Sequence, residues 1–442
     1  MPAAIPLIAV VAGGVASAAL GGGLLGALVG AGAAFVISSI GASVFPAKRP
    51  TTPTRPGDDP SAPGAGRTQS FRQPITEHQI VFGRCKVGGP IVFIHSAPDD
   101  EGRADGWFYS VVVLAAHRVR SIGDVWLGDT LATDAKFAGL VRIDRHLGTV
   151  DQPADANLIA ETGGKWTAEH RGRGRAYVAL RLKITAEAFP AGPPNIAALV
   201  EGADTILDPR TGAVGWSDNP ALCLAWYLTA PFGWKASWDD IDIPALMAAA
   251  NMCDELIGTR AGLHERRYTV NGRVSLGEGK IAITRKLVAA MAGAIVVSGG
   301  RFFIHAGGPA LPLATLTSND LRGDVTIQGS RPRRDLFNGV RAVYVDPAKN
   351  WQPTDAPPLL AANYVIEDGG EQIYRDLEYP LTTSVATVQR LMKAELERVR
   401  RQREVAFPAN LSALRLRPWD GVTVALDRVG AFPARVTGWR LS

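Results

Sequence analysis

The chain has 442 residues, 46% of them hydrophobic, which is long for one ordinary domain and enough to build two or three buried cores. Lys and Arg number 47 against 42 Asp and Glu, a formal charge of only +5, and basic residues crowd only at 171–175 and 398–403, so sequence-specific nucleic-acid binding is not expected. Cys85, Cys223 and Cys253 lie far apart with neither zinc nor disulfide spacing, which predicts three buried thiols in a protein made in a reducing cytoplasm.

From Met1 to Ala47 there is no Asp, Glu, Lys or Arg. Within this run Gly14, Ala18, Gly22, Gly26, Gly30, Ala34 and Ser38 are small and recur every fourth residue, so a helix would line them up as one stripe suited to close self-association. The segment therefore predicts an apolar, glycine-zipper-like helical element over 1–47. At about 1.5 Å per residue it is long enough to cross a roughly 30 Å hydrocarbon core twice, or to pack as a plug inside an assembly. Gly21-Gly22-Gly23 can divide it in two. A cleaved signal peptide fits poorly, since no positive residue precedes the apolar run. Residues 48–70 carry five prolines without apolar periodicity and read as a solvated linker.

The folded body begins near Phe71 and is expected to be mainly β with an α+β insertion. A first β domain is placed at 71–194. Trp107 to Leu114 has the aromatic and β-branched content of a strand buried on both faces, and Val178, Leu180, Leu182 and Ile184 alternate with polar neighbours as a half-buried strand. Val125 to Asp129 reads as a hairpin turn.

An α+β domain is placed at 195–330. Asn219-Pro220 and Ile243-Pro244 each open a helix, a third spans roughly 283–294, and Ser298-Gly299-Gly300 joins two strands as a hairpin. The last domain, 331–442, has a strand from Gly339 to Val345. An amphipathic helix capped by Ser384 follows, its arginine-rich end read as solvated, and then strands at 412–416, 422–426 and 434–441.

Catalytic chemistry finds no footing. The seven histidines show no metal-ligand spacing, and the phosphate-loop-like run from Gly272 to Lys280 lacks the following Ser or Thr. Adjacent acids such as Asp99-Asp100-Glu101 and Asp239-Asp240 read as solvated loops. No catalytic residue, cofactor or metal site is expected, and the chain is read as a non-enzyme.

Other runs carry a resemblance. Phe71 to Ile75, Gln79 to Arg84, Val87-Gly88-Gly89, Ala115-Ala116-His117 and Ile122 to Asp129 resemble the opening of the phage tail tip attachment protein J family, the lambda-like tail tip or baseplate hub proteins. The likeness continues in Asp218 to Ala221, Tyr227-Leu228-Thr229, Asn338-Gly339-Val340, Tyr344 to Pro347 and the helix leading to Pro418-Trp419-Asp420-Gly421. That family usually reads Pro-Gly-Asp where this chain has Pro418-Trp419-Asp420.

The resemblance implies a homotrimeric hub in which two small β-barrel-like domains per chain match a sixfold tail tube to a threefold tip. The implied partners are distal tail and tail tube proteins, the tape measure protein, other tail tip proteins and, through the apolar N-terminus, the host membrane during genome ejection. The implied location is the virion tail tip. Longer members continue into receptor-binding modules, whereas this chain ends at Ser442, so receptor binding is not carried over. The competing readings are a membrane-anchored or pore-forming bacterial protein and a tail-associated peptidoglycan hydrolase.

Overall fold

The computed structural model describes residues 7–11, 35–38, 76–259, 262–309, 312–427 and 430–440. Two four-stranded antiparallel sheets make the first module. One runs in the order Ile91–Ala97, Trp107–Ala115, Ala176–Lys183, Val141–Leu147; the other runs Arg84–Gly88, Ile196–Ala203, Val119–Leu127, Thr130–Leu131. Val112, Leu114, Val178, Leu180 and Leu182 from the first meet Val87, Val125, Leu127 and Val200 from the second in one core. Both sheets are open, and no closed barrel occurs among the described residues.

Two expectations shift here. Ile196–Ala203, which the sequence assigns to the α+β region, pairs with both Arg84–Gly88 and Val119–Leu127, so the second sheet of the first module runs past residue 194. Ala176–Lys183 is buried on both faces, not one. Its outer residues Tyr177 and Ala179 are roofed by Trp166 and by Leu158 of the helix Ala156–Glu161, which Asp155 caps by accepting from the Leu158 N–H at 2.8 Å.

The largest core centres on the helix Pro220–Thr229, buried nearly all round, with Asn219 capping its first turn and Pro220 where no N–H is needed. The helices Ile243–Asp254 and Lys280–Ala289 and the hairpin Ala294–Ser298/Arg301–His305 pack around it. The third helix stops at Ala289 and not near Ala294, because Ala292 takes φ +47° and Gly293 lies against the His305 carbonyl, where a Cβ would come within 2.1 Å. Val340 and Ala342 of the strand Gly339–Asp346, and Val388, Leu391, Met392 and Leu396 of the helix Val385–Arg400, belong to the same core. This core therefore runs across the boundary expected at 330.

A third core lies under a six-stranded sheet ordered Ala314–Thr317, Gly421–Leu426, Gly430–Arg440, Leu7–Val11, Glu404–Phe407, Thr326–Gln328. The expected strand at 412–416 is instead a 3-10 helix, Leu411–Arg415, because Asn410 accepts from the Ser412 N–H at 3.1 Å and turns the chain. The helical expectation for 1–47 fails at both pieces described. Leu7–Val11 is a strand parallel to Gly430–Arg440 and Glu404–Phe407, and Phe35–Ser38 is a strand antiparallel to Ala294–Ser298. The β-branched residues Ile8, Val10, Val11, Val36 and Ile37 favour that state.

The cores are stitched by the strand Gln79–Phe82, whose side chains alternate between them. Ile80 and Phe82 enter the large core, and Val81 enters the sandwich core. Gly83 follows at φ +57°, with an added Cβ only 2.0 Å from the Val270 carbonyl oxygen, so only glycine fits the bend into Arg84–Gly88. Gly83→Ala is expected to lower unfolding free energy by about 3 kcal/mol, whereas Gly128→Ala, also at positive φ but in open space, costs about 1 kcal/mol. Urea denaturation of the two variants checks this, and equal losses would contradict it.

Candidate functional site

Of the seven small residues singled out in the sequence, Ser38 pairs with Ala294 at the end of the strand Phe35–Ser38. Gly14, Ala18, Gly22, Gly26, Gly30 and Ala34 lie outside the described residues. No helix among the described residues is long and apolar enough to cross a membrane. No group of three or more His, Cys, Asp or Glu able to hold a metal occurs among them either.

The titratable side chains that are buried serve the fold. His117 accepts from the Val81 N–H at 3.0 Å through Nε2 and donates from Nδ1 to the Arg118 carbonyl at 2.7 Å, and burial pushes its pKa down to about 4. It is a neutral strut for the linking strand. His146 lies 2.8 Å from Asp155 and stacks on Tyr177 at 4.3 Å, completing the roof over the first sheet. Cys85, Cys223 and Cys253 are buried thiols outside any disulfide, and burial raises the Cys223 and Cys253 thiols, which leaves them protonated and unreactive.

The basic end of the helix Val385–Arg400 is internal, contrary to the solvated face expected. Arg400 is almost fully buried, donates from Nε to the Phe337 carbonyl at 2.7 Å and pairs with Asp368, whose carboxyl it holds below the usual carboxylate range. Arg398 bonds Glu395 at 2.9 Å and the Ala292 carbonyl at 2.6 Å. At the other end Glu265 accepts from Ser384 at 2.8 Å and Thr387 at 3.2 Å and pairs with Arg390. A further staple joins distant parts of the chain: buried Lys86 donates to Asn350 at 2.7 Å beside the Trp126 ring, while Trp351 packs on the sandwich core. Asn350 and Trp351 both have positive φ, so the tight turn holding them is strained.

With the interior committed to staples, chemistry available to a partner lies on the surface. Two short hairpins project from the large core: Ile206–Asp208/Ala213–Gly215 and Leu256–Gly258/His264–Arg266. Both are tied to Asp254, by Arg210 at 2.8 Å and by Arg266 at 3.8 Å, and they carry Val214, Leu256 and Leu263 at 63–69% exposure. The strand Ile91–Ala97 is an edge with no charged residue and with Val92 and Ile94 exposed; the opposite edge, Val141–Leu147, carries Arg142, Asp144 and Arg145. Rigidly held apolar side chains and an uncharged strand edge suit an assembly surface better than a reaction centre.

Comparison with known proteins agrees with that character. Residues 282–441 match the Phage-tail_3 family, described as "Putative phage tail protein". The chain is 22% identical over 325 residues to baseplate hub protein pb3 of Escherichia phage T5, a match covering 66% of this chain and 34% of the relative. It thus spans about a third of the curated relative's length. Among solved structures, a chain from the virion of a native gene transfer agent particle aligns with TM-score 0.60 at 17% identity, covering 85% of this chain and 86% of that one. The sequence matches are to a phage tail family and a baseplate hub protein, and the structural match is to a virion chain; none of them singles out the tail tip J family.

If the hairpins are assembly surfaces, Leu256→Asp with Leu263→Asp should change unfolding free energy by no more than about 0.5 kcal/mol, because neither side chain is buried. Incorporation into particles should nevertheless fall sharply. Denaturation of the purified chain and immunoblotting of sedimented particles measure the two; normal incorporation would remove the assignment.

Proposed function

We propose that this chain is a non-catalytic baseplate-hub subunit at the tail tip of a phage or phage-like particle, three copies of which form a ring joining the tail tube to the tip. The observation that carries the reading is the extent of the fold match, most of both chains, to a chain from the virion of a gene transfer agent particle. The family match over residues 282–441 and the hub relative support it from sequence. A subunit of this kind needs rigid joints and exposed assembly surfaces, and two features support the reading: two cores share one linking strand, and apolar hairpin tips stand exposed. In this reading the tape measure and then the genome pass through the ring on ejection.

The apolar N-terminus takes a narrower role than a continuous helix over 1–47. With Leu7–Val11 and Phe35–Ser38 in strands, the charge-free run between them is residues 12–34, which at about 1.5 Å per residue would reach roughly 35 Å, enough for one crossing of a hydrocarbon core. We place membrane transfer in that run.

Deletion of the gene and complementation in the producing host test the proposal. Loss of the chain should yield particles or tubes lacking a finished tip, and quantitative mass spectrometry of complemented particles should count three copies per particle. A chain lacking residues 12–34 should assemble but fail to deliver DNA. Normal particles without the chain, or muralytic activity abolished by a single carboxylate substitution, would defeat the reading.

A further inference from the structure

Where the large core meets the six-stranded sheet, cations and aromatic rings gather, and only some of the cations form an ion pair among the described residues. Arg398 and Arg435 lie 5.1 and 4.6 Å from the Trp419 ring centre, and Arg417 lies 3.9 Å from that of Phe303. The ion pairs of this region are Arg398–Glu395 and Arg400–Asp368; Arg401, Arg417 and Arg435 form none among the described residues. Among the described residues the Arg435 side chain donates a hydrogen bond to the Gly308 carbonyl, at 3.4 Å. Burial, and then the neighbouring Arg398 and Arg401, push its pKa down to about 10. His305, at the end of the hairpin, is pushed down to about 4 by burial and then by Arg435 and Arg417, with Asp242 opposing. Asp420, the carboxylate beside Arg417, is itself raised by burial.

Two further observations concern the polar and backbone geometry of the same junction. Buried His305 Nε2 and Trp419 Nε1 have no hydrogen-bond partner among the described residues, and both residues neighbour Arg435. Trp419 also holds φ +82°, a conformation that L side chains rarely adopt. Strain of this kind persists where the surroundings impose it and gathers at ligand clamps. Like charges crowded into a half-buried junction are unfavourable unless a counter-charge accompanies them.

We propose that the junction formed by Arg417, Trp419, Arg435 and His305 is a binding site for a small oxyanion of the phosphate class, which locks the C-terminal sheet onto the large core. Arg417 is exposed and Trp419 and Arg435 are half-buried, so the site is reachable from water but narrow. The guanidinium groups supply charge-assisted hydrogen bonds, the indole N–H supplies one neutral donor, and His305 donates through Nε2 when its proton sits there. The cluster thereby exchanges mutual repulsion for a shared counter-ion.

Isothermal titration of the purified full chain with inorganic phosphate, at constant ionic strength set with chloride, tests this directly. Saturable one-to-one binding is expected, together with a phosphate-dependent rise in thermal midpoint. Arg417→Gln and Arg435→Gln should each weaken binding roughly tenfold, the factor expected for one charge-assisted hydrogen bond. Trp419→Phe, which keeps an aromatic face for the guanidinium groups and removes the N–H donor, should weaken it less, so that a variant which merely misfolds is recognised by circular dichroism while the other still reports. Absence of phosphate binding, or equal binding by all variants, overturns the proposal. So does much tighter capture at the same residues of a short oligonucleotide or of polyglutamate, either of which would assign the cluster to a macromolecular partner.

Discussion

The alternation of side chains along Gln79–Phe82 is the constraint on which the rest depends. A strand sends successive residues to opposite faces, so Ile80 and Phe82 on one side and Val81 on the other can be fully buried only if a core lies on each side. The backbone is held in register by pairing with Gly272–Ser275 and by the Val81 N–H bond to His117. A one-residue slip would exchange the two sets and empty both cores at once. The sandwich and the α+β body are therefore one packed unit at this strand.

Joints built in this way suit a protein whose work is to transmit position. Lys86 to Asn350, Glu265 to the start of the helix Val385–Arg400, and Arg400 to Asp368 each link residues more than thirty positions apart, and each removes a charge or a polar group from the list that could act on a substrate. The features open to a partner among the described residues include apolar hairpin tips, an uncharged strand edge and the arginine-rich junction. The chemistry of the surface is the chemistry of assembly, in keeping with relatives that are tail and baseplate components.

Local patterns were readable from sequence, and non-local choices were not. Asn219-Pro220 and Ser384 announced two helices because capping is a contact within a few residues, and Ser298-Gly299-Gly300 announced its hairpin because Gly299 and Gly300 both take positive φ. Period two identified Ala176–Lys183 as a strand, but the roof made by Leu158 and Trp166 comes from elsewhere in the chain, so its second buried face was missed. The small-residue spacing in 1–47 spoke for helix while Ile8, Val10, Val36 and Ile37 spoke for strand, and pairing with strands some 250 to 430 residues later decided for strand in the two described pieces. The arginines at 398 and 400 read as solvated because their partners, Ala292, Phe337 and Asp368, are close only in space. The junction around Trp419 was visible only as a departure from the usual Pro-Gly-Asp, a sign of strain whose meaning needed Arg398 and Arg435 placed beside it.

A cryo-electron microscopy map of the particle that contains this chain, averaged at the distal end of the tail, tests the central claim most directly. The account predicts density for three copies around the tail axis at the junction of tube and tip, each with the sandwich and the α+β body fixed to one another through Gln79–Phe82. Density for this fold elsewhere in the particle, a single off-axis copy, or its absence from the tail would contradict it.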